Sequence, residues 1–400
     1  MARLTVDDLR VKGKRVLVRV DFNVPLDENQ NITDDFRIRA ALPTTKKLVE
    51  DGGKVILMSH LGRPKGQRKP ELSLKPVAKR LQELLPEVKV YFIDDCIGES
   101  VKQSVNKLND GEILLLENVR FYKEEEKNDP DFAKKLAELG DIYVNDAFAT
   151  AHRAHASTAG IAQYIKVRAA GYLLEKELKY LKDYLENPEQ PYTAILGGAK
   201  VSGKIEIIER LIGKVKYLLI GGGMSYTFLK AKGLEVGRSL LEGDKIELAK
   251  RTMEKAKEAG CELILPVDVV VTSEISEDAD SALVKVDSIP TDKQGVDIGS
   301  ETVALFTEII EKSKTILWNG PLGVFEVSKF SVGTESVAKK LVEVTEKGAV
   351  TILGGGDTAA AVKKFGLSEK FTHVSTGGGA SLELLSGAEM IPIKLLSEKE

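Results

Sequence analysis

Short apolar runs rich in leucine and β-branched residues recur along the chain, separated by stretches whose apolar positions follow helical spacing. In the first half they read RVLVRV, KVILMSH, VKVYFID, EILLLENVR and DIYVNDAF. This alternation predicts a parallel sheet whose strands are joined by crossover helices. The second half repeats the scheme with TAILGGAK, YLLIGGGM, TILWNGPLG, TILGGGDT and HVSTGGGAS. Between the halves, RAAGYLLEKELKYLKDYL, residues 168–185, carries apolar residues at helical spacing and Glu/Lys pairs on the other face, which predicts one amphipathic interdomain helix. The expected fold is α/β: two doubly wound, Rossmann-like parallel-sheet domains over 1–170 and 186–385, joined by a helix over 171–185.

In open sheets of this kind ligands bind beyond the carboxyl ends of the strands, so the residues at the strand tips are the first candidates for chemistry. In the first half these are Asp21 and Asn23, Ser59 and His60, Asp94 and Asp95, Asn118 and Arg120, and Asn145 and Asp146. Polar residues at any single tip are what loops ordinarily carry. Arg37, Arg63, Arg120 and Arg153, however, all fall near strand ends or the loops after them, and several guanidinium forks suit a small anion of multiple charge. The stretch TAHRAHAS, 150–157, adds His152 and His155 on either side of Arg153. An HxxH spacing with His60 elsewhere offers zinc too few acidic or cysteine partners, and the intervening arginine opposes a cation, so anion docking is the preferred reading.

Glycine punctuates the second half. It lets a backbone approach a ligand closely, and a helix amino terminus beyond it adds a favourable partial charge for phosphate. In GGAKVSGK, Gly198, Gly203 and Lys204 reproduce GxxxxGK, but Ile205 stands where a hydroxyl would hold Mg²⁺, which excludes a standard P-loop. Lys200 and Lys204 are candidates for phosphate contact or an exposed pair. In GGGDT, 354–358, Asp357 is placed to cap a helix or hold a hard cation, and Gly377 to Gly379 form a companion loop. WNGPLGVFE, 318–326, reads equally as a rigid turn on a buried tryptophan and as a nucleoside wall.

Composition narrows the function classes. A formal net charge of −3 with 6% aromatic residues argues against a nucleic-acid or anionic-lipid surface, and no apolar run reaches membrane-spanning length. Cys96 and Cys261 are far apart, and the amino terminus lacks a signal-like apolar core. A cytoplasmic protein with inert thiols is expected.

Together, RVDFNVP, SHLGRP, NDAF with AHRAH, AAGYLLEKELKYL, GGAKVSGK, IGGGM, WNGPLGVFE, GGGDT and STGGGASLELL stand in the order and spacing of the phosphoglycerate kinase family, which the chain resembles from end to end. One departure is Ala149, where the family usually has glycine. The resemblance implies two domains separated by a cleft, with residues 386–400 returning to the first, and hinge-bending closure. It implies Mg²⁺-dependent, reversible transfer of the acyl phosphate of 1,3-bisphosphoglycerate to ADP, giving 3-phosphoglycerate and ATP, by a monomer in glycolysis. Asp21 and Asn23 resemble residues holding the glycerate, and His60, Arg63, Arg120, His152, Arg153 and His155 the patch around its anionic ends. Arg37 resembles the arginine that reaches the transferring phosphoryl group, met from the nucleotide side by Lys200 and Lys204. Asp357 resembles the Mg²⁺ ligand. Gly198, Gly222, Asn319, Phe325, Glu326, Gly354, Gly355, Gly356, Thr358, Gly377 and Gly378 resemble nucleotide contacts. The rival readings are another ATP-dependent carboxylate kinase and a catalytically silent nucleotide-binding scaffold; the second predicts loss of Arg37, Lys204 or Asp357, and all three are present.

Overall fold

The computed structural model describes residues 3–399. The chain divides into two compact units, one of Met1–Lys179 with Glu389–Glu400 and one of Tyr180–Ala388.

The first unit is built on a six-stranded sheet of β1 (Arg15–Val20), β2 (Lys54–Met58), β3 (Val90–Phe92), β4 (Ile113–Leu115), β5 (Ile142–Asp146) and β6 (Val167–Ala170), in the order β3-β4-β2-β1-β5-β6. Every pairing is parallel. Successive residues point to opposite faces, and both faces are covered. Val16, Val18 and Val20 pack with Ile38 and Leu48 of the helix Phe36–Glu50 and Leu81 of Lys75–Leu84. Leu17 turns the other way, toward Val101 of Glu99–Asn106 and Phe132 and Leu136 of Pro130–Ala137. Strand order reverses around β1, with β2 on one side and β5 on the other, so the loops after these three strands open at the switch point.

The second unit has β7 (Tyr192–Leu196), β8 (Tyr217–Ile220), β9 (Glu262–Ile264), β10 (Asp268–Thr272), β11 (Ser281–Lys285), β12 (Gln294–Ile298), β13 (Thr315–Asn319), β14 (Val350–Gly354) and β15 (His373–Val374). Six form a parallel sheet in the order β15-β14-β13-β7-β8-β9, and β11-β10-β12 form a separate antiparallel sheet. Ile195, Leu219, Ile316, Trp318 and Leu353 pack beneath the helices Ser300–Lys312 and Val332–Glu346. Here the reversal falls at β7, flanked by β8 and β13.

The sequence pattern needs correction at two places. Arg168–Ala170 is not helical: it belongs to edge strand β6, paired with Tyr143–Asn145, and the helix starts at Tyr172. Three residues cannot declare a period by themselves, and hydrogen bonding to β5 decides their conformation. Gly171 marks the corner, where a Cβ would lie 2.2 Å from Asp146 Oδ1. Beyond it the α-helix Tyr172–Leu178 runs into a π-helical segment, Lys179–Tyr184, so the unit boundary falls at a change of helix type. The antiparallel sheet β10–β12 had no counterpart in the expected pattern; β11 is largely exposed and lacks the apolar run by which buried strands are recognised.

Candidate functional sites

In the first unit, the tips of β1, β2, β4 and β5 carry most of the predicted residues. Arg37, second residue of its helix, forms an ion pair with Asp21 beyond β1. Asn23 Oδ1 accepts from Gly62 N–H at 2.8 Å, tying the β1 loop to the β2 loop. After β4, Asn118 Oδ1 accepts from Arg120 N–H at 3.1 Å, while its Nδ2 donates to Leu61 O at 2.7 Å. That cap orients Arg120, which is only 3% exposed. Its Nη1 donates to Gly62 O at 3.1 Å, whereas its Nε and Nη2, 3.5 Å or more from the nearest carboxylate oxygen of Glu126 in the case of Nε, make no hydrogen bond. After β5, Arg153 Nε donates to His152 Nε2 at 3.0 Å, and His155 is buried with its Nδ1 unpartnered.

Charge in this cluster resides on the arginines. Burial pushes the His155 imidazole down to about 4, with Arg120, Arg19 and Arg153 adding to the shift. Burial pushes His60 well below its usual range, reinforced by Arg19, Arg120 and Arg37. Both imidazoles are therefore neutral at pH 7 in the free protein and can meet an anion as N–H donors rather than as cations. Buried donors without acceptors are costly to leave unmade, and here they converge on one place. Arg63 lies exposed on the loop after β2.

Arg19 was not among the sequence candidates. It sits within the apolar run RVLVRV, fully buried, beside Asn145 of β5. A charged residue inside a strand was the available signal, since such a group must find partners.

In the second unit the tips of β7, β8 and β13 are packed on one another through glycine. Gly222 has φ +64°, and a Cβ there would lie 2.7 Å from Gly198 N and 2.8 Å from Pro321 O. The N–H of Gly198 itself donates to Pro321 O at 2.8 Å. The amides of Val201 and Ser202 are likewise taken, at 2.5 and 3.1 Å, by the carboxylate of Glu242, a residue that no motif marks. The GxxxxGK segment thus lacks the open amide cradle of a P-loop. Lys200 is exposed on it. Lys204 caps the helix Ile205–Ile212 and turns inward, donating to Asn319 Oδ1 and, at 3.2 Å, to Asn319 O. Burial pushes Lys204 down to about 8, with Asp357 acting in the opposite direction.

The remaining glycines gather beside it. Asn319 Nδ2 is buried and unpartnered, and a Cβ on Gly355 would lie 3.2 Å from it. Gly354 and Gly355 lead into the helix Gly356–Lys364, Asp357 is exposed in its first turn, and Thr358 Oγ1 accepts from Gly320 N–H at 2.7 Å. Gly377 caps a second helix, Gly378–Ser386, and a Cβ on Gly378 would lie 2.8 Å from Gly356 N. Two helix amino termini therefore start side by side, next to a half-buried lysine, an arrangement suited to phosphate oxygens. Phe325 is buried and Glu326 exposed, with the backbone carbonyls of both accepting from Lys364 Nζ at 2.9 Å. Among the described residues no group of three or more His, Cys, Asp or Glu could hold a metal ion.

A guanidinium and imidazole cluster on one doubly wound unit and paired glycine-led helix termini with a lysine on another are each suited to an anionic group. A family model described as phosphoglycerate kinase matches residues 6–388. The chain is 57% identical over 397 residues to phosphoglycerate kinase of Chlorobium chlorochromatii, covering 99% of this chain and all of that one. It is also 57% identical over 394 residues to a cytosolic phosphoglycerate kinase of Arabidopsis thaliana, covering 98% of each. Phosphoglycerate kinase structures from Coxiella burnetii (44% identical, TM-score 0.88) and Pyrococcus horikoshii (31% identical, TM-score 0.84) each match over 98% of both chains. The chain belongs to the phosphoglycerate kinase family.

Proposed function

We propose that this chain catalyses the reversible transfer of the acyl phosphate of 1,3-bisphosphoglycerate to ADP in glycolysis, and that its named residues do so in the roles given below. The observation that carries the residue assignment is the set of buried nitrogens without hydrogen-bond partners on Arg120 and His155, grouped with Arg19 and His60 where strand order reverses. Asp21 and Asn23 hold the glycerate hydroxyl and carboxyl region. Arg63, Arg120 and Arg153 neutralise its anionic ends, and His60, His152 and His155 help to orient them. Arg37, released from Asp21, turns to the transferring phosphoryl group.

On the nucleotide side the amides at Gly356 and Gly378 and the ammonium of Lys204 receive phosphate oxygens, with Lys200 reaching in from the surface, while Gly377, whose N–H donates to Ser375 Oγ at 3.2 Å, sets the start of its helix. Gly198, Gly222, Gly354 and Gly355 act by letting backbones approach, Thr358 by holding the β13 loop, and Asn319, Phe325 and Glu326 by lining the nucleoside. A single exposed carboxylate, Asp357, fits Mg²⁺ that draws its other ligands from nucleotide phosphates and water. When bound, that ion supplies charge neutralisation between the phosphates.

Phosphoryl transfer asks for alignment and neutralised charge rather than covalent help, and a carboxylate leaving group needs no general acid. That agrees with imidazoles held neutral and given to binding. With one substrate on each unit, transfer also requires the bound ligands to be brought together, by closure once both are seated. The protein acts as a cytoplasmic monomer. A steady-state assay of Arg37→Ala and Arg153→Ala tests the roles: the first is expected to depress kcat and the second to raise KM for 3-phosphoglycerate, and the reverse pattern would undo the assignment.

A further inference from the structure

Behind the basic cluster runs a buried chain of polar groups that none of the assigned roles uses. Glu125, in the short helix Lys123–Glu126, is fully buried. Its Oε2 accepts from Ser157 N–H at 2.9 Å and its Oε1 from the Ser157 hydroxyl at 2.5 Å. Its backbone carbonyl accepts from Ala156 N–H at 2.9 Å. Arg19 Nε donates to the same Ser157 oxygen at 2.8 Å, and Arg19 Nη2 lies 3.1 Å from His60 Nδ1.

The polarity of this chain is forced. A serine hydroxyl has one proton; given to Glu125, it leaves only lone pairs to face Arg19. A guanidinium has donors alone, so His60 Nδ1 must accept, and the proton of the neutral ring sits on Nε2. Glu125 also joins the segment bearing Arg120 to the loop bearing Arg153 and His155, so one residue ties two parts of the cluster together.

We infer that Glu125, acting through Ser157 and Arg19, is a positioning residue for the phosphoglycerate site, holding His60 in the tautomer that offers Nε2–H to the anion. The inference rests on the proposed use of this cluster for phosphoglycerate. Losing one charge-assisted link in the chain should weaken that site alone.

The test compares Glu125→Gln, which keeps the shape but removes the charge, with Ser157→Ala, which cuts the chain. Each is expected to raise KM for 3-phosphoglycerate about tenfold to a hundredfold with KM for ATP unchanged. The double variant should be no worse than Ser157→Ala alone, because both changes break one pathway. Unchanged KM for 3-phosphoglycerate, or equal rises for both substrates, overturns the relay. A second measurement needs no relay variant: imidazole ¹⁵N spectra of the unaltered protein at neutral pH should show His60 protonated on Nε2 only, and an Nδ1–H or doubly protonated ring overturns the inference even where the variants do not fold. Turnover of the unaltered chain, run alongside, separates the two failures. If it is absent, the functional reading falls and takes the relay with it; if it is present while the variants keep their KM, only the relay falls.

Discussion

At the scale of single residues, the first site depends on groups that are buried with too few partners. His155 illustrates the consequence for pH. Its folded value, near 4, lies below the 6.5 of an unperturbed imidazole, so the unfolded chain binds more protons between those values and stability falls as pH drops through that window. His60 acts in the same direction. Burial pushes the carboxyls of Asp146 and Asp297 up to about 7, which acts in the opposite sense, so the test is a difference between proteins: in urea melts at pH 7 and pH 5 the parent should lose stability relative to His155→Gln on acidification, and an identical change in the two would deny His155 this role. On the nucleotide side, Lys204→Met should reduce kcat by ~10²–10³, the magnitude seen when one preorganised donor is lost. A change confined to KM for ATP would reassign Lys204 to ground-state binding.

At the scale of elements, buried aspartates hold helix starts at the strand tips. Asp146 Oδ1 accepts from Leu173 N–H at 2.9 Å and Leu174 N–H at 3.2 Å, at the start of the helix that leads to the unit boundary. Asp146→Ala should cost about 1–2 kcal/mol in chemical denaturation and Asp146→Asn, which keeps an acceptor, distinctly less; equal losses would mean the cap is not what matters. Gly378→Ala sets a methyl group 2.8 Å from Gly356 N, a backbone atom that cannot yield cheaply. It is expected to raise KM for ATP while leaving KM for 3-phosphoglycerate alone.

The strands were legible at this scale because a buried parallel strand announces itself as an apolar run, as in YLLI before Gly221 or TILWN before Gly320. β6 was not, because VRAA is too short and too weakly apolar to be told from the start of the helix that follows. What each glycine does was only half legible. A strand followed by glycines marks a place where backbones crowd, but whether the amide then faces a ligand or a neighbouring loop, as Gly198 faces Pro321, depends on contacts between distant segments. The same limit hid Glu242, whose carboxylate reaches the lysine loop from about forty positions along the chain.

At the scale of the whole molecule, the chain's last described residues belong to its first unit. Ser397 O accepts from Leu4 N–H at 2.8 Å, Leu395 O accepts from Arg168 Nε at 2.7 Å, and Met390, Ile393 and Leu396 are buried. Deleting residues 389–400 should therefore lower the stability of that unit by more than about 3 kcal/mol while nucleotide binding by the second unit survives. Two thermal transitions, of which only one moves, would be the signature.

The central claim is that Arg37, leaving Asp21, serves the transferring phosphoryl group. ATP formation from ADP, Mg²⁺ and 1,3-bisphosphoglycerate made in a coupled reaction, followed for the parent chain beside Arg37→Ala, tests it most directly. Turnover in the parent and a fall in kcat of ~10²–10³ in the variant is the expected result. Equal kcat in the two would contradict it.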